Sequence, residues 1–304
     1  MAELADLYSG YASHWIETSA GRLFVRVSGG DRPPLLLLHG HPQSNVMWHR
    51  VAPALAERFM LVIADLPGYG WSDVQAAQAD HSPYTKRAMA SAMVEAMSAL
   101  GFVRFRLAGH DRGGRVGYRL ALDHPGRLEQ LAVLDIVTTW DMWHRIDARL
   151  ASRAWHWTFL ALPAPFPETL IGHDPKFFFD SRAAAGAQAN NVAIFDPRAL
   201  AHYHAAYENP DRIHAMCEDY RAGRTSDLQH DDADRAAGNK IGCPVLALWG
   251  TSGLTANAGI DTLACWRDWA ADLRGAAIDS GHYLPEENPA AAASALLDFF
   301  GEKA

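Results

Sequence analysis

The segment Gly109-His110-Asp111-Arg112-Gly113 is a G-x-D-x-G turn between a short apolar run, Phe105 to Ala108, and a stretch, Gly114 to Leu122, that reads as a helix. A strand turning sharply into a helix holds its middle residue up and exposed, with the helix N-terminus behind it. Serine is the usual occupant; here it is a carboxylate, whose plainer use would be to cap the helix. A nucleophile needs a general base, and the base an orienting acid. His282, in Ser280-Gly281-His282-Tyr283-Leu284, lies after the last expected strand. The preceding strand leads into Gly250-Thr251-Ser252-Gly253, which has no carboxylate, so the acid falls to Asp135, at the end of the run Leu131 to Leu134. Asp111, Asp135 and His282 thus form a candidate triad in the chain order nucleophile, acid, histidine.

An aspartate nucleophile restricts the reaction. Attack on an ester carbonyl would give a mixed anhydride, whereas displacement at saturated carbon gives an alkyl-aspartyl ester. Water activated by His282 would then attack the Asp111 carboxyl carbon, and that step needs an oxyanion hole. The backbone N–H groups of Arg112, after the nucleophile, and His41, after His39-Gly40, are placed for it. Halide or a strained epoxide oxygen are suitable leaving groups. Arg112 and Arg115, three residues apart, share a helix face on a helix expected to be buried. Buried charges require an anion. Asp111, Asp135 or a carboxylate from the helical lid expected at residues 137–238 would serve; the alternative, favoured by two guanidinium groups beside one aspartate, is a clamp for a substrate carboxylate.

The elements that must position these residues have a clear pattern. Trp15-Ile16-Glu17-Thr18 and Leu23-Phe24-Val25-Arg26-Val27 alternate, and predict an opening hairpin. Leu35 to Leu38, Leu61 to Ala64, Phe105 to Ala108, Leu131 to Leu134 and Val245 to Trp249 are continuous apolar runs, expected of strands buried on both faces of a parallel sheet. Helical stretches such as Val51 to Arg58 and Thr85 to Leu100 separate them, so the fold class is α/β with a mostly parallel central sheet flanked by helices. A last strand is expected at Ala276 to Asp279, before a closing helix, Pro289 to Phe300. Residues 137–238 break the alternation. They are rich in Trp, His, Tyr, Phe and Pro and offer helices only. The expectation is a helical lid, residues 137–238, inserted in a core of residues 1–136 and 239–304, above the strand ends where open α/β sheets bind ligands.

Across 304 residues, 49% are hydrophobic, enough for a sizeable core, and the formal charge of -8 argues against nucleic acid or an anionic membrane surface as partner. No basic, apolar leader opens the chain and no apolar run suits a membrane span, so a cytoplasmic location is expected. Cys217, Cys243 and Cys265 are odd in number and widely spaced, which fits neither disulfides nor a zinc site. Fifteen histidines invite a metal, yet His202 and His204 are two apart and no H-E-x-x-H occurs. No G-x-G-x-x-G follows the first parallel strand. Neither metal nor cofactor is expected.

Gly109-His110-Asp111-Arg112-Gly113-Gly114-Arg115, with His39-Gly40-His41-Pro42-Gln43, Met47-Trp48 and Asp65-Leu66-Pro67-Gly68-Tyr69-Gly70-Trp71-Ser72-Asp73, resembles the fluoroacetate dehalogenase family of the α/β-hydrolase superfamily. The likeness continues through Trp155-His156-Trp157, Cys217-Glu218-Asp219-Tyr220-Arg221-Ala222 and Gly281-His282, and so covers nearly the whole chain. It implies an α/β-hydrolase fold and a triad of Asp111, Asp135 and His282. It also implies carboxylate binding by Arg112 and Arg115, a halide pocket of His156, Trp157 and Tyr220, and a homodimer. Imidazole N–H, indole N–H and phenol O–H are all donors suited to a departing fluoride. Two departures bear on the preferred halide and acid size. His41 stands where the family usually has Phe, and Ala183-Ala184-Ala185-Gly186-Ala187 lacks a tryptophan of a close relative, which would widen the pocket or loosen its closure. The rivals are an epoxide hydrolase drawing acids from Tyr203, Tyr207 and Tyr220, and a silent fold that only binds a small acid.

Overall fold

The apolar runs become the interior strands of one sheet. In the computed structural model, which describes residues 4–302, residues 1–3 and 303–304 of the expected core lie outside the described residues. Strands β1 (Ala12–Thr18), β2 (Gly21–Val27), β3 (Pro34–Leu38), β4 (Met60–Ala64), β5 (Phe105–His110), β6 (Leu128–Leu134), β7 (Val245–Gly250) and β8 (Leu273–Ile278) pair in the order β1-β2-β4-β3-β5-β6-β7-β8. The β1–β2 hairpin joins β4 antiparallel, and every other pairing is parallel. Leu35 to Leu38 and Leu61 to Ala64 are fully enclosed, each Leu, Ile or Val there contributing about 1.5–3 kcal/mol. Strand β8 begins three residues before its expected start at Ala276. It has a neighbour on one side only, so Arg274, Ala276 and Ala277 are exposed and the apolar signal is weak.

Helices α1 (Ala52–Ala56), α2 (Lys86–Ala99) and α3 (Arg112–Asp123) connect the first strands. Between β6 and β7 the chain forms helices and no strand: α4 (Thr139–His144), α5 (Ala148–Arg153), α6 (Trp155–Leu160), α7 (Phe166–His173), α8 (Pro175–Gly186), α9 (Pro197–Tyr207), α10 (Pro210–Arg224) and α11 (Ser226–Ala237). After β7 come α12 (Leu254–Ala258) and α13 (Thr262–Arg267), and after β8, α14 (Leu284–Glu287) and α15 (Pro289–Gly301). Among the described residues no helix is long and apolar enough to cross a membrane.

A ridge of acids fastens the helical insertion to the sheet's helices. Asp227, Asp231 and Asp234 recur at helical spacing on α11, and Asp219 precedes them on α10. Asp219 takes Arg112 and Lys86, Asp227 accepts the Lys86 backbone N–H at 2.8 Å, Asp231 accepts the Tyr118 hydroxyl at 2.8 Å, and Asp234 pairs with Arg119. All four partners lie on α2 and α3.

Candidate active site

The turn after β5 is tight because glycine permits two close approaches. A Cβ on Gly109 would lie 2.4 Å from the Gly113 carbonyl oxygen, and one on Gly113 would lie 2.5 Å from the His39 carbonyl oxygen. Between them Asp111 adopts φ 46°, a conformation that non-glycine residues occupy at a cost of order 1–3 kcal/mol. Its side chain does not cap α3. The capping alternative therefore fails, and the carboxylate is turned into the site. Oδ1 accepts the His41 backbone N–H at 2.8 Å, while Arg112 begins α3, where first-turn N–H groups lack helical partners. Burial alone would raise the Asp111 carboxyl. Positive charge around it, permanent on the guanidiniums of Arg112 and Arg115, outweighs this and holds the group well below the usual carboxylate range.

His282 Nδ1 donates to Asp135 Oδ2 at 2.6 Å, and its Nε2 faces Asp111 Oδ2 at 3.9 Å with no hydrogen-bond partner. The donated Nδ1 proton fixes the tautomer that leaves Nε2 as a base. Asp135 is held by the backbone N–H groups of Gly250 and Leu254, both at 3.1 Å. The Gly250–Gly253 loop, which supplies no carboxylate of its own, thus orients Asp135 through Gly250 and, at the start of α12, Leu254. Gly253 must be glycine, since a Cβ there would lie 2.2 Å from Asp135 Oδ1. His110, kept neutral by burial with a pKa lowered to about 3, donates Nε2–H to the His282 carbonyl at 2.7 Å.

The two arginines differ. Arg112 gives Nε to Asp219 Oδ2 at 2.7 Å and Nη2 to Oδ1 at 2.6 Å, and only its Nη1 is without a partner. Burial opposes its charge, but Asp219 prevails and raises the guanidinium well above its ordinary value. The carboxylate from elsewhere in the chain is therefore real for Arg112, and the surplus charge inferred from two arginines beside one aspartate is smaller than expected. Among the described residues Arg115 has no ion pair: it reaches Thr139 Oγ1 at 3.3 Å and lies 4.4 Å from the Trp157 ring centre, with Nε and Nη2 unpartnered. Burial, then the Arg112 charge, lower it.

His156 and Trp157 on α6 and Tyr220 on α10 gather above the nucleophile. Tyr220 sits edge-on to both rings, at centroid distances of 5.8 and 5.7 Å, and Arg112 lies 4.2 Å from its ring centre. The Tyr220 hydroxyl and His156 Nδ1 have no partner. His41 stacks on His156 at 6.1 Å and shares a 2.7 Å hydrogen bond with the Tyr207 hydroxyl; burial, then the charge of Arg182, lowers its pKa to about 3, so it is neutral. Of the other tyrosines weighed as acids, Tyr207 is thus engaged and Tyr203 donates to Glu286 at 3.1 Å. Of the small residues at the end of α8, Ala185 and Gly186 line a cavity beside His156, Arg182 and His282. A Cβ on Gly186 would meet the Tyr283 ring at 3.0 Å, and the Gly186 carbonyl accepts the His282 backbone N–H at 2.8 Å. Glu287 adds to this junction, accepting from Gln188, Gly281 and Tyr283 N–H groups.

Sequence reasoning missed Asp219, Lys86, Arg182 and Glu287. Asp219 lay inside a quoted motif; the others carried no signal beyond being charged residues among charged neighbours.

A mostly parallel sheet with Asp111 on a sharp strand-to-helix turn, and Asp135 and His282 after two further strands, has the architecture of an α/β hydrolase, and the family with the α/β hydrolase fold matches residues 33–289. The fluoroacetate dehalogenase of Burkholderia sp is 44% identical over 91% of this chain and 90% of its own. The soluble epoxide hydrolase of Corynebacterium sp. (strain C12) is 29% identical over 97% of this chain and 95% of its own. A mutant Pseudomonas aeruginosa protein provisionally named an epoxide hydrolase, solved with bound MFA, superposes with a TM-score of 0.91 at 45% identity, covering 98% of each chain. The chain belongs to the fluoroacetate dehalogenase family, and it is a hydrolase.

Proposed function

We propose that this hydrolase is a dehalogenase that releases halide, fluoride included and chloride or bromide besides, from small 2-haloacids such as fluoroacetate, giving the 2-hydroxy acid. The observation that carries the reading is the set of buried donors without protein partners around Asp111: Arg115 Nε and Nη2, Arg112 Nη1, His156 Nδ1 and the Tyr220 hydroxyl. Unpaired buried donors are costly, and an anion that itself releases an anion satisfies them. The 44% identity to a fluoroacetate dehalogenase supports the same substrate class.

In this reading Arg115 and the free Nη1 of Arg112 hold the carboxylate. Asp111 Oδ2 attacks the α carbon, the C–X bond breaks, and the halide departs with the bonding pair toward His156, Trp157 and Tyr220. His282 Nε2 takes a proton from water, whose oxygen attacks the ester carbonyl carbon. The negative charge of the tetrahedral intermediate falls on the oxygen facing the His41 and Arg112 N–H groups. Collapse frees the hydroxy acid, which carries off an Asp111 oxygen. Residues 137–238 act as a lid on the core of 1–136 and 239–304, contributing the three halide donors.

A second reading, epoxide hydrolysis, draws on the free hydroxyls of Tyr220 and Tyr283 and on the Corynebacterium relative. Against it, burial raises the Tyr220 hydroxyl and makes it a poorer acid, and Arg115 has no use for a neutral epoxide. Halide release from fluoro-, chloro- and bromoacetate tests the choice: release from any of them is expected, and turnover of an epoxide with no halide from all three overturns it.

A further inference from the structure

Arg182, on α8, is 6% exposed, and its Nε has no hydrogen-bond partner. Among the described residues no carboxylate pairs with it, in contrast to Arg112, which has Asp219, and Lys86, which has Asp219 and Asp227. It lines a cavity of about 30 Å3 together with the buried His156 and His282, the small Ala185 and Gly186, and, on its more exposed side, Arg153 and Asn257. Arg153 is exposed and Asn257 half-buried. The cavity thus has one cation at the surface and a second, buried one beside the expected halide donor His156 and the candidate base His282.

The charge balance of the proposed reaction gives this guanidinium a task. When Asp111 becomes an ester, its negative charge passes to the departing halide. None of the expected halide donors carries a compensating positive charge. Trp157 and Tyr220 are neutral, and burial, followed by the charge of Arg182, holds His156 well below its ordinary value and therefore neutral. Arg115 is taken by the substrate carboxylate and Arg112 by Asp219. Arg182 is left as the free cation on the cavity side.

We infer that Arg182 is a small-anion site: it supplies the charge partner for the departing halide and holds it at the buried side of the cavity, from which it leaves past Arg153. The inference rests on the dehalogenase reading for its role in turnover, but the site itself is an equilibrium property of the unliganded protein. Bromide is the probe, titrated into the whole protein at constant ionic strength and followed by tryptophan fluorescence, since Trp155 packs against the cavity-lining His156 at a ring distance of 6.1 Å. Wild type binds bromide saturably. Arg182→Gln weakens that binding about tenfold or more, as expected for one buried charge at an intermediate effective dielectric, and Arg182→Lys restores most of it. Because Arg182 leaves no partner orphaned, the Gln variant keeps its melting temperature, and Arg182→Met, with a similar stem, is the second neutral variant. Bromide affinity unchanged in both neutral variants overturns the site, as does the absence of saturable binding by wild type. The outcomes separate the two readings. Arg182-dependent bromide binding without halide release from any haloacetate sinks the dehalogenase and spares the anion site. Haloacetate turnover with bromide binding indifferent to Arg182 does the reverse.

Discussion

Replacing Arg112 and Arg115 one at a time, each by Leu, separates a structural cation from a binding one. Arg112 is bonded to the buried Asp219 through two nitrogens, so Arg112→Leu strips that carboxylate of its closest guanidinium. Breaking a buried pair costs about 3–5 kcal/mol. Lys86 still contacts Asp219, which puts the loss near the lower end, about 3 kcal/mol, and the fall in melting temperature at about 6 °C or more. Arg115→Leu leaves no charge unmatched and costs only the long 3.3 Å hydrogen bond to Thr139 Oγ1. It removes an unpaired buried charge and keeps an apolar stem near Trp157, so stability changes by less than about 1 kcal/mol. Substrate binding inverts the order of specificity between the two. A charge-assisted hydrogen bond to a carboxylate contributes about 1.5–3 kcal/mol, and Arg115 has two free donors where Arg112 has one. Losing roughly 3 kcal/mol lowers kcat/KM about 150-fold, mainly through KM, since the carboxylate is bound alike before and during displacement. Thermal unfolding and halide release from fluoroacetate, measured on the same preparations, decide the matter. Equal destabilisation by the two variants, or haloacetate kinetics unchanged in Arg115→Leu, would refute the reasoning.

Other outcomes follow from the same geometry. Asp111→Asn shows no turnover in ordinary assays, whereas His282→Gln still alkylates Asp111 and accumulates its ester, seen by intact mass as one carboxymethyl group; an unmodified protein after prolonged incubation with fluoroacetate contradicts the two-step path. Gly253→Ala, whose Cβ would fall 2.2 Å from Asp135 Oδ1, lowers kcat through hydrolysis of the ester, measured by single-turnover kinetics; a variant with wild-type ester hydrolysis would remove Asp135 from that step. Burial raises Glu286 to about 8 and Asp231 to about 7. Both are raised above their unfolded values, so the native state holds more protons, and the stability they contribute is complete below about pH 4 and lost as pH rises through 7 and 8. Melting temperature therefore falls between pH 5 and 9 by this contribution, and Glu286→Gln, neutral throughout, flattens it; an identical slope in that variant rules Glu286 out as a source.

The interior strands were legible because burial on both faces leaves no polar position in Leu35 to Leu38 or Leu61 to Ala64. The same logic misjudged β8, whose exposed edge breaks the run. Asp135 could be read as the candidate acid because the loop after β7 has no carboxylate. That Gly250 and Leu254, at its two ends, instead donate N–H groups to Asp135 is backbone geometry, which composition does not encode. Asp219 and Arg182 stayed hidden for one reason. Cys217-Glu218-Asp219-Tyr220-Arg221 and Lys176 to Arg182 read as ordinary charged helix, and only packing turns one acid and one arginine inward. The small size of Gly186 suggests space, and it does line a cavity with Ala185, but the Tyr283 ring that packs against it is distant in sequence and carried no signal.

The acidic ridge of α10 and α11 has a bearing on how this protein can change over generations. Asp219 serves Arg112 and Lys86 together, and its neighbours on α11 serve Lys86, Tyr118 and Arg119. A helical insertion borrowed from another hydrolase would set foreign side chains against these buried cations and leave them unmatched. Exchange of the insertion alone is therefore barred, and new specificities must arise by point changes within it or by joint replacement with α2 and α3. The two halves of the site are tied together by these buried contacts.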